Sequence, residues 1–133
     1  MVDFIHHPSS YHRIGEQLLQ SVPGFEASAA FQLVAADREL PSIVCGALAQ
    51  YLLATERQVI SNPDKELVLA AIYQAIEDLS TSTEPVVQNV VVVDILESLF
   101  DGSDLREAIA RKLQPATKAL YEEWIASDPN RAI

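Results

Sequence analysis

The sequence predicts an all-α protein: one domain, folded as an irregular helical bundle or a short stack of helical hairpins, with about seven helices. Apolar residues recur at intervals of three and four, the period of a buried helical stripe. Prolines, serines and glycines fall between these segments, where helices start and stop. Of the 133 residues 49% are hydrophobic and 21% charged, an ordinary composition for a domain with its own core.

Three helices are predicted in the first 60 residues. Ser9 or Ser10 caps the first, and Pro23-Gly24 ends it. Its apolar positions are Tyr11, Ile14, Leu18 and Val22. The second is predicted over residues 27–35, from a stripe formed by Ala27, Ala30, Phe31, Val34 and Ala35. The third starts at Pro41 and turns polar at residues 56–58, and its Gly46 is expected to permit close contact with another helix.

The fourth helix follows Asn62-Pro63-Asp64, which combines a cap, a helix-compatible proline and a first-turn acid. Residues 80–83 break it, and Pro85 opens the fifth helix. Residues 86–100 are rich in valine, so strand and helix compete there. Fifteen residues exceed a usual strand, and a helix places Asp94 and Glu97 on one sector. The valines then predict a central helix with only a narrow stripe through these two acids facing water.

Two shorter helices complete the prediction. Ser103 or Asp104 caps the sixth, and Gln114-Pro115 begins the seventh. Residues 1–8 are expected to form a flexible arm and residues 128–133 a loose tail. In the fifth helix, Gln88 and Asn89 fall on the dry side, where an amide is expected to tie down a neighbouring turn.

Few residues in the sequence form the patterns that are typical of catalytic or cofactor-binding sites. His6, His7 and His12 are the only imidazoles and match no zinc or di-iron spacing. Cys45 lies on an apolar helix and is expected to pack as a small hydrophobic residue. The glycines are too dispersed for a phosphate-binding loop. The sequence therefore predicts no metal, no cofactor and no enzyme activity.

The net charge of −10 argues against binding to nucleic acid or to an anionic membrane, and favours a basic protein partner. No apolar run is long enough to span a bilayer, and the valine run at residues 90–93 is interrupted by Asp94. One cysteine and an N-terminus without the pattern of a secretory signal predict a cytoplasmic protein.

The acidic residues are concentrated in the middle of the chain. From Asp64 to Asp104 there are nine acids and a single base, Lys65. This field is expected to steer a basic protein to the domain, although ordinary solubilising charge explains it equally well. The predicted partner-binding residues are Asp94, Glu97, Asp101, Asp104, Glu77 and Asp78. The basic residues after Asp104 either complement this field or form a patch of their own.

The fifth helix has the form Val-x-Asn-x-x-x-Val-x-x-Leu-Glu-x-Leu, carried by Val87, Asn89, Val93, Leu96, Glu97 and Leu99. With Tyr73, Ile76 and Glu77 upstream and Leu113-Gln114-Pro115 and Tyr121 downstream, it resembles a group of small all-helical bacterial proteins. That group is similar to immunity proteins of toxin systems. The resemblance covers roughly the last two-thirds of the chain, implies an all-helical domain without established enzymatic activity, and supplies no catalytic residues.

Three functions remain open at this point. The first is a bacterial immunity protein that neutralises a basic toxin domain through the acidic surface. The second is a helical scaffold or adaptor that self-associates through an apolar groove, as a homodimer for example. The third, a metal-assisted enzyme using the N-terminal histidines, is the least favoured.

Overall fold

The computed structural model describes residues 10–100 and 104–127. Within these ranges the protein is all-α, with seven helices and no strand, so the predicted fold class is confirmed. The predicted arm and tail lie outside the described residues. No helix in the described part of the chain is long and apolar enough to cross a membrane.

We number the helices α1 to α7 in chain order. The first four are α1 (Ser10–Ser21), α2 (Ala29–Gln32), α3 (Pro41–Val59) and α4 (Lys65–Ser80). Helix α5 is continuous but has three segments: Pro85–Val90, a π-helical segment Val91–Leu96, and Glu97–Phe100. The last two are α6 (Arg106–Lys112) and α7 (Pro115–Ser127), and one 3₁₀ turn covers Ala35–Asp37.

Gly24 ends α1 as predicted, in a left-handed conformation with φ of 76°. The Tyr51 hydroxyl donates a hydrogen bond to the Pro23 carbonyl at 2.8 Å, which fixes this turn against α3. A Cβ on Gly24 would lie 2.8 Å from the same hydroxyl, so both backbone angle and space require glycine. At Gly46 a Cβ would meet nothing within 4 Å, so the expected close helix contact there is wrong.

The predicted second helix is wrong as a single element. The Ser28 Oγ accepts the Phe31 N–H at 3.2 Å and starts α2 only at Ala29. The backbone then leaves helical angles at Val34, with φ −123° and ψ 12°, before the 3₁₀ turn. Phe31 packs on Phe25 with ring centroids 5.4 Å apart. The apolar spacing of residues 27–35 therefore belongs to a short helix and a 3₁₀ turn packed around Phe25 and Phe31, and not to one long helix.

The core lies between α3, α4 and α5, with α1 and α2 packed on α3 and α7 packed on α4. Helix α3 is buried along most of its length and packs on the π-helical segment of α5. The valine-rich segment is thus a central helix, as predicted. Short connections, residues 60–64 and 81–84, join α3 to α4 and α4 to α5, and these three helices all contact one another.

The π-helical segment changes which side chains of α5 face the core. Val87, Val91, Ile95 and Leu99 are all fully buried and spaced by four. Val93, expected on the dry side, is 42% exposed, and Asn89 is exposed as well. Both expectations are therefore wrong. Gln88 does tie down a turn as expected, because its Nε2 donates to the Ser82 carbonyl at 2.8 Å.

Two predicted caps differ from the structure. Helix α4 begins at Lys65, and Asn62 acts one turn earlier, where its Oδ1 accepts the Asp64 N–H at 3.2 Å. In α6 the N-cap position is occupied by Leu105, so Asp104, one of the two predicted caps, does not occupy it. Ser103 lies outside the described residues.

Candidate functional site

A groove of about 640 Å³ opens where α1, α4 and α5 meet. Its walls are the last turn of α1, the last turn of α4, the connection over residues 81–84, and the start of α5. Leu18, Leu79 and Val87 close its floor and are themselves almost fully buried. Polar side chains lie at the rim, and the groove also exposes apolar surface.

The groove carries negative charge. Asp78 and Glu84 are both lining residues, and none of the described residues that line it is Lys, Arg or His. The last turns of α1 and α4 both line the groove, and neither helix has a basic residue in its last turn. Asp78 is exposed and accepts a hydrogen bond from Gln74 Nε2 at 2.8 Å. Its carboxylate thus has a neutral partner on its own helix.

Asp94 and Glu97 lie on α5, more than two turns beyond Pro85 and so away from the groove. Asp94 belongs to the π-helical segment and Glu97 follows it directly. Both are half-buried rather than on an open stripe, because α3, α4 and α7 all pack on this part of α5. Within residues 10–100 and 104–127 no side-chain hydrogen bond or ion pair reaches either carboxylate.

The carboxylate of Glu77 is engaged in hydrogen bonds with another helix of the bundle. Its carboxylate accepts hydrogen bonds from the Ala116 N–H, the Thr117 N–H and the Thr117 hydroxyl, each at 2.9 Å. Burial raises the pKa of this carboxyl, but the bonds from Thr117 and Ala116 outweigh burial and the net pKa is lowered. Glu77 therefore caps α7 from a different helix, and its predicted place in a partner-binding surface is weakened by that role.

Asp104 is exposed and accepts a hydrogen bond from Arg57 of α3 at 3.0 Å. The carboxylate of Asp104, which was predicted to bind a partner, therefore already has a cation of the same chain, Arg57, beside it. Asp101 lies outside the described residues. The five predicted acids that the structure describes are spread over different elements: Glu77 and Asp78 end α4, Asp94 and Glu97 lie well along α5, and Asp104 lies beside α3.

A buried acid was missed from the sequence. Glu56, expected in the polar exit of α3, is only 4% exposed. It accepts hydrogen bonds from the Tyr73 hydroxyl at 2.6 Å and from Lys112 Nζ at 2.9 and 3.0 Å. Burial, and then the bond to Glu56, raise the pKa of Tyr73, which keeps the phenol protonated as the donor. This contact joins α3, α4 and α6.

Glu56 belongs to a set of polar contacts, called the polar seam below, that link α6 and α7 to α3 and α4. Tyr73, Glu77 and Ser80 lie at i, i+4 and i+7 on α4, so they share one face. Tyr73 contacts Glu56, Glu77 caps α7, and the Ser80 Oγ lies 2.9 Å from the Thr117 Oγ1. The i, i+4, i+7 spacing of polar residues inside an apolar helix was the signal in the sequence.

The groups singled out from the sequence as candidates for catalysis are Cys45 and the three histidines. Cys45 is fully buried, and burial followed by the charge of Asp94 raises the pKa of its thiol, so it packs as expected. Residues 10–100 and 104–127 contain no group of three or more His, Cys, Asp or Glu side chains placed to hold a metal ion. His6 and His7 lie outside these ranges, and His12 is exposed.

A family model matches residues 15–127, under the description Domain of unknown function (DUF7674). The chain belongs to this family. The matched range covers the groove, the polar seam and all six predicted acids of the DUF7674 domain. No curated protein and no solved structure matches the chain. The family description assigns no activity, so the similarity to immunity proteins stays a prediction.

Proposed function

We propose that this domain is a non-catalytic protein-binding module that receives a basic partner protein on its acidic middle segment. The observation that carries the proposal is the pair Asp94 and Glu97, half-buried carboxylates on the central helix to which the described residues bring no cation. A half-buried carboxylate gains more from a basic partner than an exposed one, since water screens it less. Such a surface also accelerates association with a basic protein.

The specific form of the proposal is an immunity protein that neutralises a basic toxin domain. Its support is the resemblance of Val87, Asn89, Val93, Leu96, Glu97 and Leu99 to the helix of that group. Three of these six residues, Val87, Leu96 and Leu99, are core positions, so the resemblance supports the fold of such a protein at least as much as its partner surface.

The experiment is a binding assay between the purified domain and the products of the neighbouring genes, at low and at high salt. A basic neighbour should bind, and its affinity should fall with salt. Asp94→Asn with Glu97→Gln should weaken it by about tenfold, whereas Glu122→Gln with Glu123→Gln, exposed acids of α7, should not. Binding that ignores both salt and the Asp94 and Glu97 changes would refute the proposal.

Self-association is the second candidate, and one observation favours it. Ile60 and Leu67 are 83% and 81% exposed, and both flank the short α3–α4 connection. Two exposed large apolar side chains near one connection are a candidate contact for a second copy. Light scattering separates the candidates: a dimer that persists in high salt and is lost in Ile60→Ser with Leu67→Ser supports self-association over a charged partner.

A further inference from the structure

We infer that the outward side of α5, called the α5 face, is the docking surface for an amphipathic helix of the partner protein. The α5 face is a row formed by Asn89, Val93 and Glu97, with Val86 and Asp94 beside it. Apolar side chains of the partner helix cover the two valines, and a Lys or Arg of that helix meets the two carboxylates. This inference rests on the proposed function, because it names the part of the basic partner that Asp94 and Glu97 receive.

The row of the α5 face lies opposite the core. Asn89 and Val93 are exposed and Glu97 is half-buried, and the three positions are spaced by four. Each of them follows a fully buried residue of α5 by two positions. These buried residues are Val87, Val91 and Ile95. Two positions correspond to about 200° around a helix, so the row points away from the side of α5 that packs in the bundle.

Two exposed valines give the α5 face an apolar part. Val86 and Val93 are 45% and 42% exposed. They are seven positions apart in the sequence, which is two turns and about 10.5 Å along the helix axis. Apolar residues at this spacing are the contacts through which one helix packs on another. In an extended segment, side chains on one face are about 6.8 Å apart, and no multiple of that distance matches the two valines.

Two carboxylates give the α5 face its charge. Asp94 and Glu97 lie in the C-terminal half of α5, and no side-chain hydrogen bond or ion pair from the described residues reaches them. Glu97 begins the last segment of the helix, Glu97–Phe100, which contains no base, so its charge is close to the negative end of the helix dipole. A base from the partner interacts favourably with both carboxylates and with that helix end. Charge complementarity therefore favours a helix with Lys or Arg beside its apolar stripe.

The test uses the full chain and a designed helical peptide of alanine, leucine and lysine, in which leucines recur every three or four positions with lysines beside them. One control peptide has the same composition with the leucines spread around the helix, and a second has glutamine in place of every lysine. Titration calorimetry measures the affinity, and amide chemical shifts locate the contact. The first peptide should perturb residues 86–97 and bind at least about tenfold more tightly than either control.

Variants of the chain separate the apolar part of the α5 face from the charged part. Val86→Thr with Val93→Thr, which keeps the side-chain shape, should weaken binding of the first peptide by about fivefold. The matched control is Ile60→Thr with Leu67→Thr, which removes exposed apolar surface at the α3–α4 connection and should leave binding unchanged. Replacing the two carboxylates of the α5 face by amides should weaken binding by about tenfold. Thermal unfolding checks that each variant is folded.

Three results would overturn the inference. These are equal binding of the peptide with scattered leucines, shifts outside residues 86–97, and unchanged binding after the change of both valines. Failure of the proposed function is distinguishable. A neighbouring gene product whose binding depends on Asp94 and Glu97 but not on the valines leaves the proposed function standing and removes helix docking from it. Equal binding of the glutamine peptide would contradict both, because the α5 face would then recognise apolar surface without charge.

Discussion

The carboxylate of Glu77 accepts two hydrogen bonds from Thr117, one from its backbone N–H and one from its hydroxyl, both at 2.9 Å. With the Ala116 N–H, also at 2.9 Å, Glu77 satisfies two of the amide groups that the first turn of α7 leaves without helical partners. A side chain on α4 therefore performs the function that a local Ser or Asp usually performs at a helix start.

Glu77→Ala is expected to lower the free energy of unfolding by about 1–2 kcal/mol, because the cap is lost and the Thr117 hydroxyl keeps only Ser80 as partner. Glu77→Gln should cost less, since the amide oxygen still accepts. Urea denaturation measures both. The neighbouring Asp78→Asn is the control and should not destabilise the protein. An equal loss in Asp78→Asn would show that charge, not capping, governs this end of α4.

Glu77 also predicts how stability depends on pH. Its pKa is lowered in the folded protein from the ordinary value of 4.5, so its contribution is present above that value and is lost as pH falls through the folded pKa. Thermal unfolding followed from about pH 6 to pH 3 should show a falling midpoint. The fall should be shallower in Glu77→Gln, which cannot titrate. Parallel curves for the two proteins would contradict the assignment.

The contact between Lys112 and Glu56 predicts a double-mutant cycle. Lys112→Met leaves a buried carboxylate with only Tyr73 as partner, and should cost about 1–3 kcal/mol, less than a fully buried pair because Lys112 is 41% exposed. Adding Glu56→Gln should recover part of the loss. The control is the exposed pair Arg57–Asp104, where Arg57→Met should cost less than about 1 kcal/mol. Equal costs in the two pairs would contradict this interpretation of Glu56.

Two glycines give opposite expectations for the same substitution. Gly24→Ala should destabilise by more than about 1 kcal/mol, because its φ of 76° and the nearby Tyr51 hydroxyl both oppose a Cβ. Gly46→Ala should stabilise by about 0.5–1 kcal/mol, since it is inside α3 and its Cβ would meet no atom within 4 Å. Thermal unfolding of both variants is the measurement, and a change of the same sign in both would be inconsistent with the structure.

Asp78→Lys should raise the stability of the protein. A base in the last turn of α4 interacts favourably with the helix dipole, worth about 0.3–1 kcal/mol. Chemical denaturation gives the stability change, and low salt should enlarge it. A loss of stability in Asp78→Lys would contradict the expected interaction with the C-terminal end of α4.

The predictions from the sequence succeeded where local chemistry decides the structure. Pro41 and Pro85 both open helices, and Gly24 ends α1. They failed where a distant residue decides. Glu56 was expected in a polar exit because its partner, Lys112, follows 56 residues later in the chain. Glu77 was expected on the surface because the α7 amide groups that it caps are far away in sequence.

In the candidate site, too, features set by local sequence could be predicted and features set by distant residues could not. The acidic character of the middle segment can be predicted from composition, since it needs only the signs of the side chains. Its distribution over separate surfaces depends on packing, which places Asp78 at the groove and Asp104 beside Arg57. The groove itself is formed by three helix ends, and no single stretch of sequence contains it. Ser28 was a missed local signal, because its cap marks the start of α2.

The π-helical segment of α5 has a consequence for comparing related chains. Positions spaced by four drift by about 40° per step around an α-helix, yet Val87, Val91, Ile95 and Leu99 all remain buried. The wider turn of Val91–Leu96 absorbs that drift. A relative with an uninterrupted α-helix here would therefore align correctly on both sides only if a one-residue gap were placed inside the segment. Without that gap, the alignment would be correct before Val91, but after Leu96 it would pair core positions of one chain with surface positions of the other.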